Sequence, residues 1–332
     1  MPRWIAVTTL MTAYAAAAFA AQRPEWAFFV PSTEEPQKAD SRPDNDPGKR
    51  RTTPGSRRSY STAELHDPLY PPDWYPDEHP TLPDSVARGT SGGNGPPVLP
   101  CALCHLPNGA GHVESASLAG LPAEYIVQQF ADWHSGARRI AVGDTNTTGF
   151  LSGLKQRYSQ QQIAAAARYY SGLQPRPWIR VVESATVRRS AVDSETLMRL
   201  PIPGPKEPLG NRIVELPEDV SALLRRDSHS GFVAYVPVGS IAAGRVLVTT
   251  GAGGRTIPCA DCHGVDLNGV ADVPPLAGRP PTYMVRQLWA YQSGERRGAA
   301  AAPMQLVAAK LTPNEMLAIA AYLASRPPGR QQ

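Results

Sequence analysis

The chain has 332 residues, including 35 prolines and 28 glycines, and carries a formal net charge of +4. This length allows about two compact domains, but so much proline and glycine excludes a single large regular core. The small net charge, part of which falls in a proline-rich N-terminal stretch, gives no indication of nucleic-acid binding.

The N-terminus carries an apolar run, residues 4–21, which follows Arg3 and ends in small residues. This pattern predicts a cleaved signal peptide over residues 1–21 and therefore an exported, periplasmic protein. The alternative is an uncleaved anchor, which would attach the protein to a membrane. The run is rich in alanine and threonine, and is weakly apolar for that role.

Residues 22–80 form the next compositional block, which is rich in Pro, Asp, Ser and Arg and has little apolar periodicity. Such a composition predicts an extended, Pro-rich tether. Aromatic residues near its two ends are able to dock on a folded surface. They are Trp26, Phe28 and Phe29 at one end and Tyr70, Trp74 and Tyr75 at the other.

Every cysteine in the chain belongs to a Cys-x-x-Cys-His motif. The first motif contains Cys101, Cys104 and His105, and the second contains Cys259, Cys262 and His263. Two thiols can add across the vinyl groups of one haem, and the adjacent histidine can bind its iron as the proximal ligand. Disulfides and zinc are the alternatives, but neither requires a histidine directly after both pairs. The motifs therefore predict two covalently bound haem c groups.

The two motifs anchor an internal repeat, because His105 and His263 are 158 positions apart. In the same register, residues 118–130 match residues 276–288, and residues 135–139 match residues 293–297. The repeat predicts a duplicated haem domain.

Each copy ends in a segment that predicts a terminal helix. A capping box formed by Thr312 and Glu315 begins this helix in the second copy, and Ser159 with Gln162 provides the same signal in the first. Between the copies, residues 176–238 contain short β-branched runs at 178–182, 212–216 and 232–236. These runs predict a small sheet that clasps the two haem domains.

These features resemble the class I cytochrome c family, and the tandem arrangement resembles the dihaem cytochromes of the c4 type. The haem motifs and the repeated Leu-Ala-Gly and Tyr-x-x-x-Gln segments carry the resemblance. It covers two tandem domains, residues 81–175 and 239–327, and leaves 328–332 as a tail. It implies a mainly α fold in which each domain has a helix before the motif, a helix after it, a loop with an axial methionine and a terminal helix.

Met304 stands just before the terminal helix of the second copy, where the resemblance expects the axial methionine. It follows residues 298–303, which we expect to form a flexible loop. Met284 and Met316 are alternatives, but both fall on apolar helix faces, where methionine usually fills the core. We therefore predict Met304 as the sixth ligand of the second haem iron.

The first copy departs from the pattern, because Leu151 stands where the second copy has Met304. No methionine occurs between Met11 and Met198, and an insertion at 143–149 lengthens the loop. Sixth ligands for the first haem therefore have to be sought elsewhere, and an open iron remains an alternative. The candidates are His134, His112, Met198 and Lys155.

None of these candidates is distinguished by its sequence context. His134 falls on the helix after the motif, where a surface position is the simpler interpretation. His112 lies close to the proximal side, and Met198 is equally suited to packing in a domain interface.

Two functions fit these features. The first is an electron carrier between a respiratory or dehydrogenase donor and a terminal oxidase or reductase, with redox proteins as its partners. The alternative is a haem enzyme, a peroxidase or sulfur-compound oxidoreductase, with an exchangeable first haem and the second haem as relay. No acid–base pair is evident in the sequence beside the first haem, which favours the carrier.

Overall fold

The computed structural model describes residues 23–29, 49–92, 97–139, 157–194 and 196–329. The helices form two sets, one around each Cys-x-x-Cys-His motif, and most strands lie between these sets in the chain. Within the described ranges, no helix combines the length and apolar character needed to cross a bilayer. The predicted signal peptide lies outside them.

The N-terminal segment, residues 49–80, is folded. Strands β1 (Arg50–Arg51) and β2 (Tyr60–Ser61) pair in antiparallel fashion, and helix α1 (Thr62–Leu65) follows directly. Short turns and a 3-10 helix complete the segment. This differs from the extended tether that its composition predicted.

Aromatic side chains hold the N-terminal segment against the rest of the protein. Trp74 is 1% exposed, packs edge-on against Tyr60 and donates from its indole nitrogen to the Arg225 carbonyl at 2.8 Å. Phe28 and Phe29, in the described stretch 23–29 that precedes this segment, are also buried. The tether prediction is therefore wrong for the described residues, because these rings bury enough apolar area to offset the cost of ordering a polar chain.

The first helical set surrounds the first haem motif. It contains α2 (Asp84–Ala87), α3 (Ala102–His105), α4 (Ala123–Ser135) and α5 (Gln160–Gly172). Helix α5 begins at the predicted capping box, in which Ser159 and Gln162 each accept the other's backbone N–H.

The region between the helical sets contains the predicted sheet. Its elements are β3 (Ile179–Glu183), β4 (Thr186–Val187), β5 (Ser190–Val192), β6 (Arg199–Pro201), β7 (Glu207–Pro208), β8 (Val214–Pro217), α6 (Val220–Leu224) and β9 (Phe232–Val236). Strand β9 is central in a three-stranded sheet, parallel to β3 and antiparallel to β8. We call this region, residues 176–238, the clasp.

The second helical set surrounds the second haem motif. It contains α7 (Ser240–Gly254), α8 (Ala260–His263), α9 (Pro281–Gln292), α10 (Ala302–Ala308) and α11 (Pro313–Ser325). Helix α11 begins at the capping box of Thr312 and Glu315. It buries residues 316–324 and so forms the centre of the largest apolar core.

Helix α7 crosses α11 at Gly244. A Cβ at this position would overlap the Ala318 carbonyl and approach the Cβ of Tyr322 to 2.8 Å. The two backbones can therefore meet only where α7 lacks a side chain.

One buried carboxyl connects the sheet to the second helical set. Glu215 on β8 is 1% exposed and accepts a hydrogen bond from Oγ1 of Thr282 at the start of α9. Burial raises the pKa of Glu215 to about 8, from an ordinary value of 4.5. The native state therefore holds a proton that the unfolded chain releases, and the contribution of Glu215 to stability is lost as pH rises towards 8.

We expect Gly244→Ala to lower the free energy of unfolding by about 1–3 kcal/mol, because one of the two helices must shift to accommodate the methyl group. Urea unfolding followed by circular dichroism measures the loss. Gly172→Ala is the matched control, since an added Cβ there meets nothing within 4 Å. Equal stabilities of the two variants would contradict the proposed close approach.

We expect Glu215→Gln to flatten the pH dependence of stability. Relative to the variant, the wild-type protein should lose up to about 1.4 kcal/mol per pH unit as pH rises from about 5 to 8. Unfolding free energies measured across that window test this, with Glu124→Gln, an exposed glutamate, as the control. A constant difference between wild type and Glu215→Gln would show that Glu215 does not bind the proton.

Candidate haem sites and the interface between them

Each haem motif forms one helical turn followed by a loop that returns beside the histidine. Helix α3 ends at Leu106, whose φ of 60° turns the chain out of the helix. Helix α8 ends in the same way at Gly264, with a φ of 82°. Because each of these two residues adopts the left-handed backbone conformation, the loop that follows turns back across its own motif.

The returning loop orients the histidines of both motifs, the predicted proximal ligands, identically. Nδ1 of His105 lies 2.8 Å from the Ala116 carbonyl, and Nδ1 of His263 lies 2.7 Å from the Pro274 carbonyl. A carbonyl oxygen only accepts, so Nδ1 is the donor in each imidazole and Nε2 is the nitrogen able to bind iron. The two carbonyls are again 158 positions apart, so the repeat preserves this contact.

Burial favours the neutral form of both imidazoles. Desolvation lowers the pKa of His105 and of His263 below the usual value for histidine. Iron binds the neutral imidazole, so this shift of the pKa is in the direction that ligation requires.

The first site is a cavity of about 770 Å³ around Cys101, Cys104 and His105. Its walls are largely apolar and include Leu99, Leu118, Ile126, Phe130, Ala166 and Tyr170. The volume lies within the range of pockets that enclose a bound cofactor. None of the four cysteines forms a disulfide, which excludes that alternative. The residues therefore fit a covalently held haem, which supplies a one-electron couple between ferric and ferrous iron.

The second helical set contributes to the first cavity. Tyr283, Gln287 and Ala290 on α9 line it together with His105. The first haem site is therefore built at the interface between the two sets and not within the first set alone.

Side chains of the two helical sets form reciprocal hydrogen bonds across this interface. The Arg296 guanidinium donates to the Tyr125 hydroxyl at 3.3 Å and to Oε1 of Gln129. In return, the Arg138 guanidinium donates to the Tyr283 hydroxyl at 3.3 Å and to Oε1 of Gln287 at 3.4 Å. These two groups are related residue by residue by the 158-residue repeat.

The backbones of the two helical sets also form reciprocal hydrogen bonds. Arg138 and Arg296 form an antiparallel bridge. The N–H of Arg139 donates to the Glu295 carbonyl, and the N–H of Arg297 donates to the Ala137 carbonyl, both at 2.8 Å. The two helical sets therefore pack as a pseudo-twofold pair.

This interface favours negative charge. Burial would raise the pKa of the Tyr125 phenol, but Arg296 and Arg138 together hold it below its usual value. An environment that stabilises a phenolate also suits the carboxylates of a haem. The sequence did not assign these arginines a role, although their place in the matched segments 135–139 and 293–297 was an available signal.

Two further arginines of the second helical set donate hydrogen bonds to backbone carbonyls of the first helical set. Arg279 donates to the Ser117 and Ala119 carbonyls, and Arg286 donates to the Glu114 carbonyl at 2.9 Å. These acceptors flank Ala116, which orients His105. No sequence signal marked these arginines, because Leu121 and Gln128 occupy the corresponding positions in the first copy.

Met304 lies in the first turn of α10 and is half-buried. The expected flexible loop before it is instead a 3-10 turn, Ala299–Ala301, that leads directly into the helix. Pro303 at the second helical position fits this geometry, because the first helical turn tolerates proline. The assignment of Met304 as sixth ligand remains a prediction.

The structure separates the candidates for the sixth ligand of the first haem. His134 is exposed on α4 and does not line the cavity. His112 lines it but is 7% exposed, faces Glu114 at 3.3 Å and lies in the loop that orients His105. Met198 also lines it and is 3% exposed. Leu151, Lys155 and the insertion at 143–149 lie outside the described residues.

These sites and this interface define a haem-binding electron-transfer protein with two similar halves. A family model for cytochrome c matches residues 241–327. A relative from Halomonas halodenitrificans, cytochrome c-554(548), is 39% identical over 20% of this chain and 83% of its own length. The chain therefore belongs to the cytochrome c family and binds haem c covalently.

Longer similarities cover both halves. The thiosulfate dehydrogenase electron acceptor of Thiomonas intermedia is 27% identical, over 70% of this chain and 81% of that protein. The crystal structure of cytochrome c4 from Pseudomonas stutzeri matches with a TM-score of 0.42 and 19% identity, over 68% of this chain and 93% of that one. The name of the Thiomonas intermedia relative agrees with an electron-transfer cytochrome, and this chain carries two haem motifs.

We expect Met304→Ala to lower the reduction potential of one haem and to let carbon monoxide bind its ferrous iron, because a thioether stabilises the ferrous state. Spectroelectrochemistry and a carbon monoxide titration measure both effects. Met284→Leu, a volume-conserving change in the core, is the control. If the potential is unchanged in Met304→Ala, another residue is the ligand.

Proposed function

We propose that this protein is a periplasmic dihaem electron carrier that takes electrons from a thiosulfate-oxidising dehydrogenase and passes them to a terminal oxidase or reductase. The name of the Thiomonas intermedia relative supports the donor class. The proposal rests most directly on the shared first cavity, which places residues of the second helical set around His105.

A shared cavity favours transfer between the two irons. Tyr283 and Gln287 line the first site while Tyr125 and Gln129 bond to Arg296 of the second set. The protein's part is to hold the ligands, exclude water and fix the two sites relative to each other.

The second motif is the better candidate for contact with a redox partner. Cys262 is exposed, and it is flanked by Val265 and Ile257, which are 90% and 47% exposed. Exposed apolar residues around a cofactor edge suit a transient interface. We therefore place the exchange of electrons with other proteins at the second haem.

The clasp covers the corresponding surface of the first motif. Arg226 donates to the Leu103 carbonyl at 2.7 Å, and Asn108 donates to the Ser228 carbonyl at 2.5 Å. This asymmetry supports a first haem that exchanges electrons through the second.

The test is electron uptake by the oxidised holoprotein, followed by stopped-flow absorption of the haem bands. With thiosulfate and a catalytic amount of the Thiomonas intermedia thiosulfate dehydrogenase, we expect both haems to become reduced. Thiosulfate alone should reduce neither. Reduction without the dehydrogenase would favour the enzyme alternative, and failure of reduction with it would rule out this donor.

A matched pair of variants locates the contact. We expect Val265→Glu to lower the rate of uptake about tenfold, the effect of losing about 1.4 kcal/mol at an interface. Val238→Glu, on the clasp and 72% exposed, should leave the rate unchanged. Equal effects of the two substitutions would contradict a partner site at the second motif.

A further inference from the structure

The side of the cavity that carries the sixth ligand can be identified from the second half. Thr256, three residues before Cys259, donates from Oγ1 to the Val307 carbonyl of α10 at 3.3 Å. Helix α10 carries Met304. The chain just before the first cysteine therefore lies on the side of the predicted distal ligand.

The N-terminal segment lies beside the corresponding part of the chain in the first half. Val98, the counterpart of Thr256, pairs through its backbone with Thr90, and the neighbouring Gly89 donates to the Leu69 carbonyl at 2.7 Å. Five residues before Leu69 line the same cavity as His105. They are Thr62, Leu65, His66, Asp67 and Pro68.

His66 has the chemistry of an iron ligand. It ends helix α1, is exposed like His134 but lines the cavity, and its Nδ1 lies 2.8 Å from the Thr62 carbonyl. His105 and His263 are held by backbone carbonyls in the same manner. The contact makes Nδ1 the donor, so Nε2 is the nitrogen able to bind iron. We propose that His66 is the sixth ligand of the first haem, supplied by the N-terminal segment outside the repeat.

The segment that carries His66 is fixed on both sides of it. Before it, Ser61 and Glu64 form a capping box at the start of α1. After it, Trp74 is anchored to the Arg225 carbonyl of the clasp. Leu65, directly before His66, is 2% exposed. The ligand is therefore presented by an ordered turn and not by a loose tail.

The other candidates within the described residues fit the distal position less well. Met198 packs with Val113. His112 directly precedes Val113 in the chain and belongs to the same loop as Val113. That loop holds His105 from the proximal side. His134 does not line the cavity.

This ligand would give the two irons different properties. A histidine opposite a histidine lowers the reduction potential relative to a methionine opposite a histidine. The second haem would then be reduced before the first in a redox titration. The inference concerns ligation alone and does not depend on the identity of the electron donor.

The wild-type holoprotein provides the first test. Electron paramagnetic resonance and near-infrared magnetic circular dichroism of the ferric protein should show one haem with two histidine ligands and one with histidine and methionine. The ferrous protein should bind no carbon monoxide. Two histidine–methionine haems, or a carbon monoxide adduct in wild type, would overturn the proposal.

Substitution then identifies the histidine. In His66→Ala we expect carbon monoxide to bind about half of the ferrous haem, and added imidazole to restore the low-spin ferric spectrum. His134→Ala is the matched control and should behave as wild type. An unaltered first haem in His66→Ala, or an opened first haem in Met198→Leu with His66 intact, would overturn the proposal. Electron uptake through the second haem is measured separately, so the two proposals can fail independently.

Discussion

Two buried guanidinium groups of the second helical set, those of Arg279 and Arg286, donate to backbone carbonyls of the first set. Their acceptors belong to the loop whose Ala116 carbonyl orients His105. A buried charge is costly unless it is bonded, so these contacts strongly resist displacement. The first haem site therefore depends on the second half of the chain for the position of His105, its predicted proximal ligand.

Around this constraint, two segments outside the repeat lie against the first haem motif. The N-terminal segment and the clasp meet where Trp74 bonds to the Arg225 carbonyl and Thr53 bonds to Asp227. Together they cover the first motif, while Cys262 of the second motif stays exposed. A duplicated unit has thus become one enclosed site and one accessible site without losing the helical framework of either.

Local signals were enough to predict the haem motifs, the capping boxes and the strands of the clasp. Thr312 with Glu315, and Ser159 with Gln162, each act within four residues, so their patterns are visible in the sequence alone. The folding of residues 49–80 was missed because a few rings, Trp74 above all, outweigh a polar composition. Arg279 and Arg286 could not be assigned, since their carbonyl acceptors are far away in the chain and leave no pattern in it.

The reciprocal bonds of Arg138 and Arg296 also bear on how the two halves can change over time. Each arginine contacts a tyrosine that the repeat has copied into the opposite half, Tyr283 and Tyr125 respectively. A gene duplication normally frees one copy to drift. Here a substitution of Tyr125 alters the surroundings of an arginine encoded 171 positions away, so the two copies are physically coupled at the residues where they meet.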